Sequence, residues 1–303
     1  MSSLYVANNI QKKYLTNNTK KKLSKKFNKT LENFFLETEN QNKTLNILSK
    51  NFKFNFKIND LKGFKKYKSV AIIGMGGSIL GSEAIYNFLG NKIKKKFYFF
   101  NDLNLRKSFL FKKKEKLDKI LFIVISKSGN TVETLSNFLN LGILKKNSKN
   151  IIIISEKNNN SLHLISKKYN LFFIEHKKNI GGRFSVLSEV GIVPAYFMGL
   201  NIKKLRSNTL EYFKKEKKFL LKNSTTKLAN LMNSKKIKNL IFLNYAPELE
   251  KFLFWCQQLL AESLGKNNKG FLPMISNAPK DHHSLLQLYL DGPKDKLFNI
   301  FSY

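Results

Sequence analysis

Cysteine occurs only once in the 303 residues, at Cys256. A single cysteine excludes a disulfide within the chain and is typical of proteins of the reducing cytoplasm. Cys256 follows Trp255 in an apolar stretch, so we interpret it as a buried, inert thiol and not as a nucleophile. We therefore predict a cytoplasmic protein whose cysteine is structural.

Arginine is also scarce, because Arg106, Arg183 and Arg206 are the only arginines among 55 basic residues. The net charge of +35 would by itself indicate a nucleic-acid or membrane partner. Nucleic-acid binders, however, more often use arginine for paired contacts to phosphates and bases. We expect no nucleic-acid partner, and we expect the positive field to help capture a small phosphorylated metabolite.

Long apolar runs are absent as well. The longest, Val186–Leu200, is interrupted by Glu189 and is shorter than the roughly 20 residues that a membrane span needs. We therefore expect a soluble chain with no membrane partner. The hydrophobic content of 42% still suits one large or two medium globular domains.

From about residue 69, short apolar runs alternate with helix-like stretches. Continuously apolar strands between helices predict a parallel sheet covered on both faces. The predicted strands are Val70–Ile73, Phe97–Phe100, Ile120–Ile125, Ile151–Ile154 and Leu171–Ile174. The predicted helices are Ile79–Leu89, Val132–Leu144, Leu162–Lys168 and, after a Gly-rich loop at 181–183, about Phe184–Gly199.

A lysine-rich helical connector, about Lys203–Asn233, leads to a second alternation. Its predicted elements are strand Asn239–Asn244, helix Pro247–Ser263, strand Phe271–Ile275, helix His283–Leu290 and strand Phe298–Phe301. We predict an α/β fold of two doubly wound α/β/α domains with parallel sheets, the second of them incomplete. The predicted boundaries are a helical N-terminal extension over 1–63, a first domain over 64–202, and the connector with a partial second domain over 203–303.

Two loops after predicted strands have the composition of phosphate-binding sites. In Gly74–Ser78, glycines permit close backbone approach and a following helix N-terminus attracts anions. A dinucleotide-binding loop is the alternative. Asp102 after the second strand favours that alternative, but Ile79 stands where the motif has its third glycine.

The second loop, Ser126–Thr131, follows the third predicted strand. It places three hydroxyls and several backbone amides at one helix N-terminus, which can surround a phosphate without a metal. Helix capping alone is the alternative, since serine and threonine are common caps. Two such loops at neighbouring strand ends of one parallel sheet favour phosphate binding.

The segment Trp255–Lys266 supplies a candidate for acid–base chemistry. Gln258 and Glu262 stand at i and i+4, so they share one face of the predicted helix. We expect flanking apolar residues to draw Glu262 into apolar surroundings, which would raise its pKa toward that of a general base. A solvated acid near the helix end is the alternative.

Arg183, in the Gly-rich loop at 181–183, has two possible roles. It either stabilises an oxyanion or holds its loop through a salt bridge.

Five stretches, in their order along the chain, resemble the phosphoglucose isomerase family, which is built from two sugar-isomerase domains. They are IIGMGGSILG, ISKSGNTVET, GGRFSVLSEVG, WCQQLLAESLGK and DHHSLLQLYLDGP. The first two occur in many sugar-phosphate domains, whereas the last three are specific to this family. The resemblance implies an isomerase that interconverts glucose 6-phosphate and fructose 6-phosphate. It also implies a homodimer with a shared active site and no metal or other cofactor.

The resemblance further implies roles for individual residues. The substrate phosphate would be held by Ser78, Ser126, Ser128 and Thr131, with backbone contacts from Gly77 and Lys127. Glu262 would move a proton between C2 and C1 through a cis-enediol(ate), Arg183 would stabilise its charge, and Gln258 would contact a substrate hydroxyl. His283 would assist ring opening, and in this family that histidine comes from the partner subunit.

One feature of the family has no match. Its catalytic lysine lies in a C-terminal helix beyond the segment that matches His283, and we expect this chain to lack that helix. Two alternatives are a bifunctional phosphoglucose/phosphomannose isomerase and a non-enzymatic sugar-phosphate sensor. Glu262, Arg183 and His283 together favour an enzyme, because a sensor needs only the phosphate loops.

Overall fold

Five parallel strands form the larger of two sheets in the computed structural model, which describes residue 10, residues 14–15 and residues 17–302. The strands are β1 (Ser69–Ile73), β2 (Lys96–Phe100), β3 (Ile120–Ile125), β4 (Ile151–Ser155) and β5 (Phe172–Glu175). Their order is β2-β1-β3-β4-β5. Each predicted strand is present and the sheet is parallel throughout, which confirms the predicted fold class for this part of the chain.

The helices are numbered along the whole chain. They are α1 (Asn17–Glu39), α2 (Ile58–Leu61), α3 (Leu80–Phe88), α4 (Leu105–Lys114), α5 (Val132–Asn140), α6 (Ser161–Lys168), α7 (Glu189–Phe197), α8 (Ile202–Arg206), α9 (Lys215–Ser234), α10 (Glu250–Leu264) and α11 (His282–Asp291). Residues 1–9, 11–13 and 16 of the predicted N-terminal extension lie outside the described residues.

The larger sheet is buried on both faces, as its continuously apolar strands predict. Alternate strand residues point to opposite faces, so Ile123 packs with α3 and α7, whereas Phe122 packs with α4, α5 and α6. All six residues of β3 are buried. The central strand is therefore held on both sides, and the loop that follows it starts from a rigid position.

This five-stranded unit extends from Asn42 to Arg206. The guanidinium of Arg206 donates hydrogen bonds to the carbonyls of Leu187, Ile47 (2.9 Å) and Ser49 (3.1 Å). These bonds attach the segment that precedes β1 to the end of the unit. The predicted N-terminal extension is therefore shared, because its residues from Asn42 onward belong here and α1 belongs to the other unit.

The other unit contains the described residues up to Gln41 and those from Ser207 onward. Its parallel sheet has the order β7-β6-β8 and consists of β6 (Asn239–Asn244), β7 (Leu272–Asn277) and β8 (Lys296–Phe301). Helix α10 packs on one face of this sheet through Leu253, which is fully buried with Leu240 and Phe242. Helix α1 packs along α9. Among the described residues, no helix is long and apolar enough to span a membrane.

The burial of Leu253 predicts its contribution to stability. Leu253→Ala should lower the free energy of unfolding of the three-stranded unit by about 2–5 kcal/mol, because the substitution leaves a cavity beneath α10. Trp255, the single tryptophan, lies on the same helix, so its fluorescence during urea denaturation follows this unit. Phe254→Ala is the control, since Phe254 is 37% exposed and should cost less. Equal losses would contradict the anchoring role of Leu253.

Candidate functional site

The loop after β3 gathers three hydroxyl groups at the start of α5. Oγ of Ser126 lies 2.8 Å from Oγ1 of Thr131, and Oγ of Ser128 lies 3.5 Å from both. Ser126 is buried and Ser128 is exposed, so the cluster opens to solvent through Ser128. The structure thus brings together the three hydroxyls that were predicted to act together.

Thr131 occupies the N-cap position of α5, but its side chain accepts no hydrogen bond from the first turn. Its hydroxyl is engaged with Ser126 instead. The capping interpretation is therefore wrong for Thr131. The N–H groups of the first turn are left to another acceptor, and a helix N-terminus favours an anion there.

The loop after β1 lies against the segment that carries Arg183. A Cβ atom on Gly77 would lie 2.3 Å from the carbonyl carbon of Gly182, so only glycine permits this approach. The hydroxyl of Ser185 donates to the carbonyl of Gly77 at 3.1 Å. These contacts fix the backbone at Arg183 relative to the glycine-rich loop.

The remaining predicted residues of this unit differ in their surroundings. Ser78 is buried at the end of a short 3-10 helix, Gly76–Ser78. The guanidinium carbon of Arg183, which is half-buried, lies 4.6 Å from the ring centroid of Phe184. The ammonium group of Lys127 donates to the carbonyl of Lys178 at 2.9 Å and lies 3.7 Å from Oε1 of Glu156, so its polar contacts are made outside the hydroxyl loop.

In the three-stranded unit, Gln258 and Glu262 form the predicted pair on one face of α10. Nε2 of Gln258 donates to Oε1 of Glu262 at 2.8 Å. The shared face is confirmed. The bond orients the carboxylate, while Oε1 of Gln258 has no hydrogen-bond partner among the described residues.

The expectation that Glu262 lies in apolar surroundings is wrong in this structure, where Glu262 is exposed. The face of α10 that packs on the sheet carries Leu253, Cys256 and Leu260, which are spaced three and four residues apart. Glu262 lies on the opposite face of the helix. The apolar residues next to it in sequence therefore bury the helix without burying its carboxylate.

The two neighbouring histidines of α11 lie in its first turn. Nε2 of His282 lies 3.2 Å from the hydroxyl of Tyr245, whereas His283 is exposed. Asp281 precedes the helix and accepts a hydrogen bond from the N–H of Asn277 at 2.8 Å. The structure thus fixes His282 within its own unit and leaves His283 accessible to solvent.

Cys256 has the properties of a structural thiol. It packs with Leu253 in the cluster between α10 and the smaller sheet. Burial raises the pKa of its thiol to about 11, so the thiolate is scarce near neutral pH. Its packing and its raised pKa favour the interpretation of Cys256 as a structural residue, and its thiol is partly buried.

The sequence did not point to the buried polar residues next to the hydroxyl loop. Asn160 is 3% exposed and Ser155 fully buried, and both would lie within 3 Å of a Cβ atom on Gly129. The N–H of His176 donates to the carbonyl of Ser155 at 2.8 Å. The only local signal was the position of Asn160 before a helix, which predicts a cap and not a contact with the loop.

Comparison with known proteins identifies relatives of this chain. The family model of phosphoglucose isomerase matches residues 38–270. Glucose-6-phosphate isomerase of Methanocaldococcus jannaschii is 37% identical over 242 residues, covering 78% of this chain and 60% of that protein. A probable glucose-6-phosphate isomerase of Methanococcus maripaludis is 36% identical over 266 residues, covering 84% of this chain and 60% of that protein. The chain spans about 60% of the length of these curated relatives.

Solved structures show the same fold. A hypothetical protein from Thermus thermophilus superposes with a TM-score of 0.74 at 22% sequence identity, covering 93% of this chain and 72% of that one. At this identity the likeness shows the fold alone.

The buried His176 predicts a pH-dependent stability. Burial lowers the pKa of its imidazole to about 4 from an ordinary 6.5. The unfolded chain therefore takes up a proton at a higher pH than the folded chain does. The stability due to neutral His176 is present above pH 6.5 and is lost as the pH falls toward 4.

The loss should reach at most about 1.4 kcal/mol per pH unit. His176→Asn keeps a donor near the position of Nδ1, which lies 3.0 Å from the carbonyl of Lys177, but does not titrate. Urea denaturation of both proteins between pH 4 and 7 measures the difference. Parallel stability curves for the two proteins would show that His176 titrates normally.

Proposed function

The chain belongs to the phosphoglucose isomerase family, and we propose that it interconverts glucose 6-phosphate and fructose 6-phosphate. The observation that carries the proposal is the cluster of Ser126, Ser128 and Thr131 hydroxyls at the N-terminus of α5. Such a cluster supplies neutral donors to a phosphate dianion, and the net charge of +35 draws anions toward the protein. A sugar phosphate is the ligand class that this chemistry fits.

The acid–base part of the proposal assigns Glu262 as the base. Its carboxylate removes the proton from C2 of the open-chain aldose, which leaves a cis-enediolate. The hydroxyl proton passes from O2 to O1, and Glu262 returns its proton to C1 to give the ketose. The hydrogen bond from Gln258 orients the carboxylate, and Gln258 also contacts a substrate hydroxyl in the proposed reaction. Arg183 stabilises the negative charge of the enediolate as a fixed cation.

In the proposed site, the substrate phosphate is bound by the hydroxyls of Ser126, Ser128 and Thr131, by Ser78, and by the backbones of Gly77 and Lys127. Ring opening is assigned to His283, whose exposure at the start of α11 suits delivery to a partner subunit's active site. A homodimer is thus part of the proposal. We also assign the reaction to the cytoplasm. A chain with a single cysteine cannot form an internal disulfide, and proteins without disulfides are typical of that reducing compartment.

The phosphate assignment is tested by placing a negative charge in the loop. Ser128→Asp should weaken binding of 6-phosphogluconate by at least about tenfold, because the new carboxylate repels the phosphate and the substitution removes a hydroxyl donor. Isothermal calorimetry at fixed ionic strength measures the affinity. Ser136→Asp adds the same charge to an exposed position of α5 and should have a much smaller effect. Unchanged affinity in Ser128→Asp would contradict the assignment of this loop as the phosphate site.

The base is tested by removing its ability to accept a proton. Glu262→Gln should slow the exchange of the C2 hydrogen with solvent deuterium by about two to four orders of magnitude, while affinity for 6-phosphogluconate stays near that of the wild type. Glu248→Gln makes the same change at an exposed glutamate before α10 and should leave exchange intact. If Glu262→Gln exchanges at the wild-type rate, another group is the base.

A further inference from the structure

Asn160 is buried next to the hydroxyl loop and uses both ends of its amide group. Oδ1 accepts from the N–H of His163 at 2.9 Å and from the hydroxyl of Ser155 at 3.2 Å. Nδ2 donates to the carbonyl of Glu156 at 2.7 Å and to Oδ1 of Asn158 at 2.5 Å. These four bonds define the turn between β4 and α6.

The same side chain fills the space beneath Gly129, the glycine of the hydroxyl loop. A Cβ atom on Gly129 would lie 1.8 Å from Oδ1 of Asn160, and the φ of Gly129 is +68°, which glycine adopts without strain. The loop therefore rests on the Asn160 amide. A shorter side chain at position 160 would leave Gly129 without this support.

The turn that Asn160 defines also binds the loop directly. Three backbone N–H groups of this turn and of the start of α6 donate to the loop: Leu162 to the carbonyl of Gly129 (3.1 Å), Ser161 to Oδ1 of Asn130 (2.8 Å) and Glu156 to the carbonyl of Lys127 (3.1 Å). The directions of these donors depend on the shape of the turn. Asn160 thus acts on the loop both by contact and through its neighbours.

We propose that Asn160 is a positioning residue for phosphate binding: by bracing Gly129 and shaping the turn between β4 and α6, it holds the Ser126–Thr131 loop in its binding conformation. The inference rests on the proposed function of that loop. Since only 3% of Asn160 is exposed, it acts through the loop and not as a further donor to the ligand. When the loop is already ordered before phosphate binds, none of the binding free energy is lost in ordering it.

Asn160→Ser separates support of the loop from capping of α6. Serine is an equally good N-cap, but its side chain is too short to brace Gly129 and has no amide donor for Glu156. We expect affinity for inorganic phosphate, measured by calorimetry at fixed ionic strength, to fall roughly tenfold. The KM for fructose 6-phosphate should rise by a similar factor with kcat little changed, as expected for a loss of binding common to substrate and transition state.

Asn104→Ser is the matched control. Asn104 is the N-cap of α4, where its side chain accepts from the N–H of Lys107 at 2.9 Å, and it is exposed. Asn160→Ser should be the less stable of the two variants, because it loses buried hydrogen bonds. Both variants are compared at a temperature where their melting curves show them folded, and only Asn160→Ser should lose phosphate affinity. Phosphate binding by Asn160→Ser at the wild-type level, or an equal loss in Asn104→Ser, would overturn the role of Asn160. Failure of the wild-type chain to bind phosphate would overturn the proposed phosphate site, and this inference with it.

Ser155→Ala provides a milder variant in case Asn160→Ser does not fold. It removes only the hydroxyl that donates to Oδ1 of Asn160 and replaces it with a side chain that fits the same space. We expect affinity for phosphate to fall by about threefold, in line with the loss of one neutral hydrogen bond. Unchanged affinity in this variant would contradict the proposed path from Asn160 to the loop.

Discussion

The reversal of strand order at β1 is the constraint on which the candidate phosphate site depends. The chain passes from β1 to β2 on one side and then returns across β1 to β3 on the other. Because the two connections leave in opposite directions, a crevice opens at the carboxyl ends of β1 and β3. Parallel pairing from Ser69 with Ile120 to Ile73 with Val124 brings these ends nearly level. The glycine-rich loop and the hydroxyl loop both begin at this crevice, so strand order alone makes them neighbours.

The sequence contained most of this architecture because buried parallel strands are continuously apolar. The run Ile120–Ile125 predicted β3 with its observed ends, and every other predicted strand was found. Helix α4 was not predicted. Its apolar residues are Leu105, Phe109, Leu110 and Phe111, and three of them are exposed, so they do not mark a single buried face. Its N-cap, Asn104, was a local signal, but an asparagine alone also occurs in turns.

The error at Glu262 shows a limit of reasoning from neighbours in sequence. The i, i+4 spacing correctly predicted the hydrogen bond between Gln258 and Glu262, because that relation is internal to one helix. Burial depends on which face of the helix meets the sheet. That face is set by Leu253, Cys256 and Leu260, and it lies opposite the carboxylate. Hydrophobicity averaged along the segment could not reveal this difference, whereas an assignment of the helical faces would have done so.

The groups proposed to contact the phosphate lie close together in the sequence, whereas the groups that support them come from a separate segment. The hydroxyls of Ser126, Ser128 and Thr131 lie within one loop, so their composition was visible as a motif. The support comes from a turn beyond the next strand, and its bonds to the loop are mostly made by backbone N–H groups that any residue type supplies. Only the fold can bring such groups together. Asn160 is an exception, because its amide shape is used fully, and it is therefore the supporting residue whose identity should matter most for the loop.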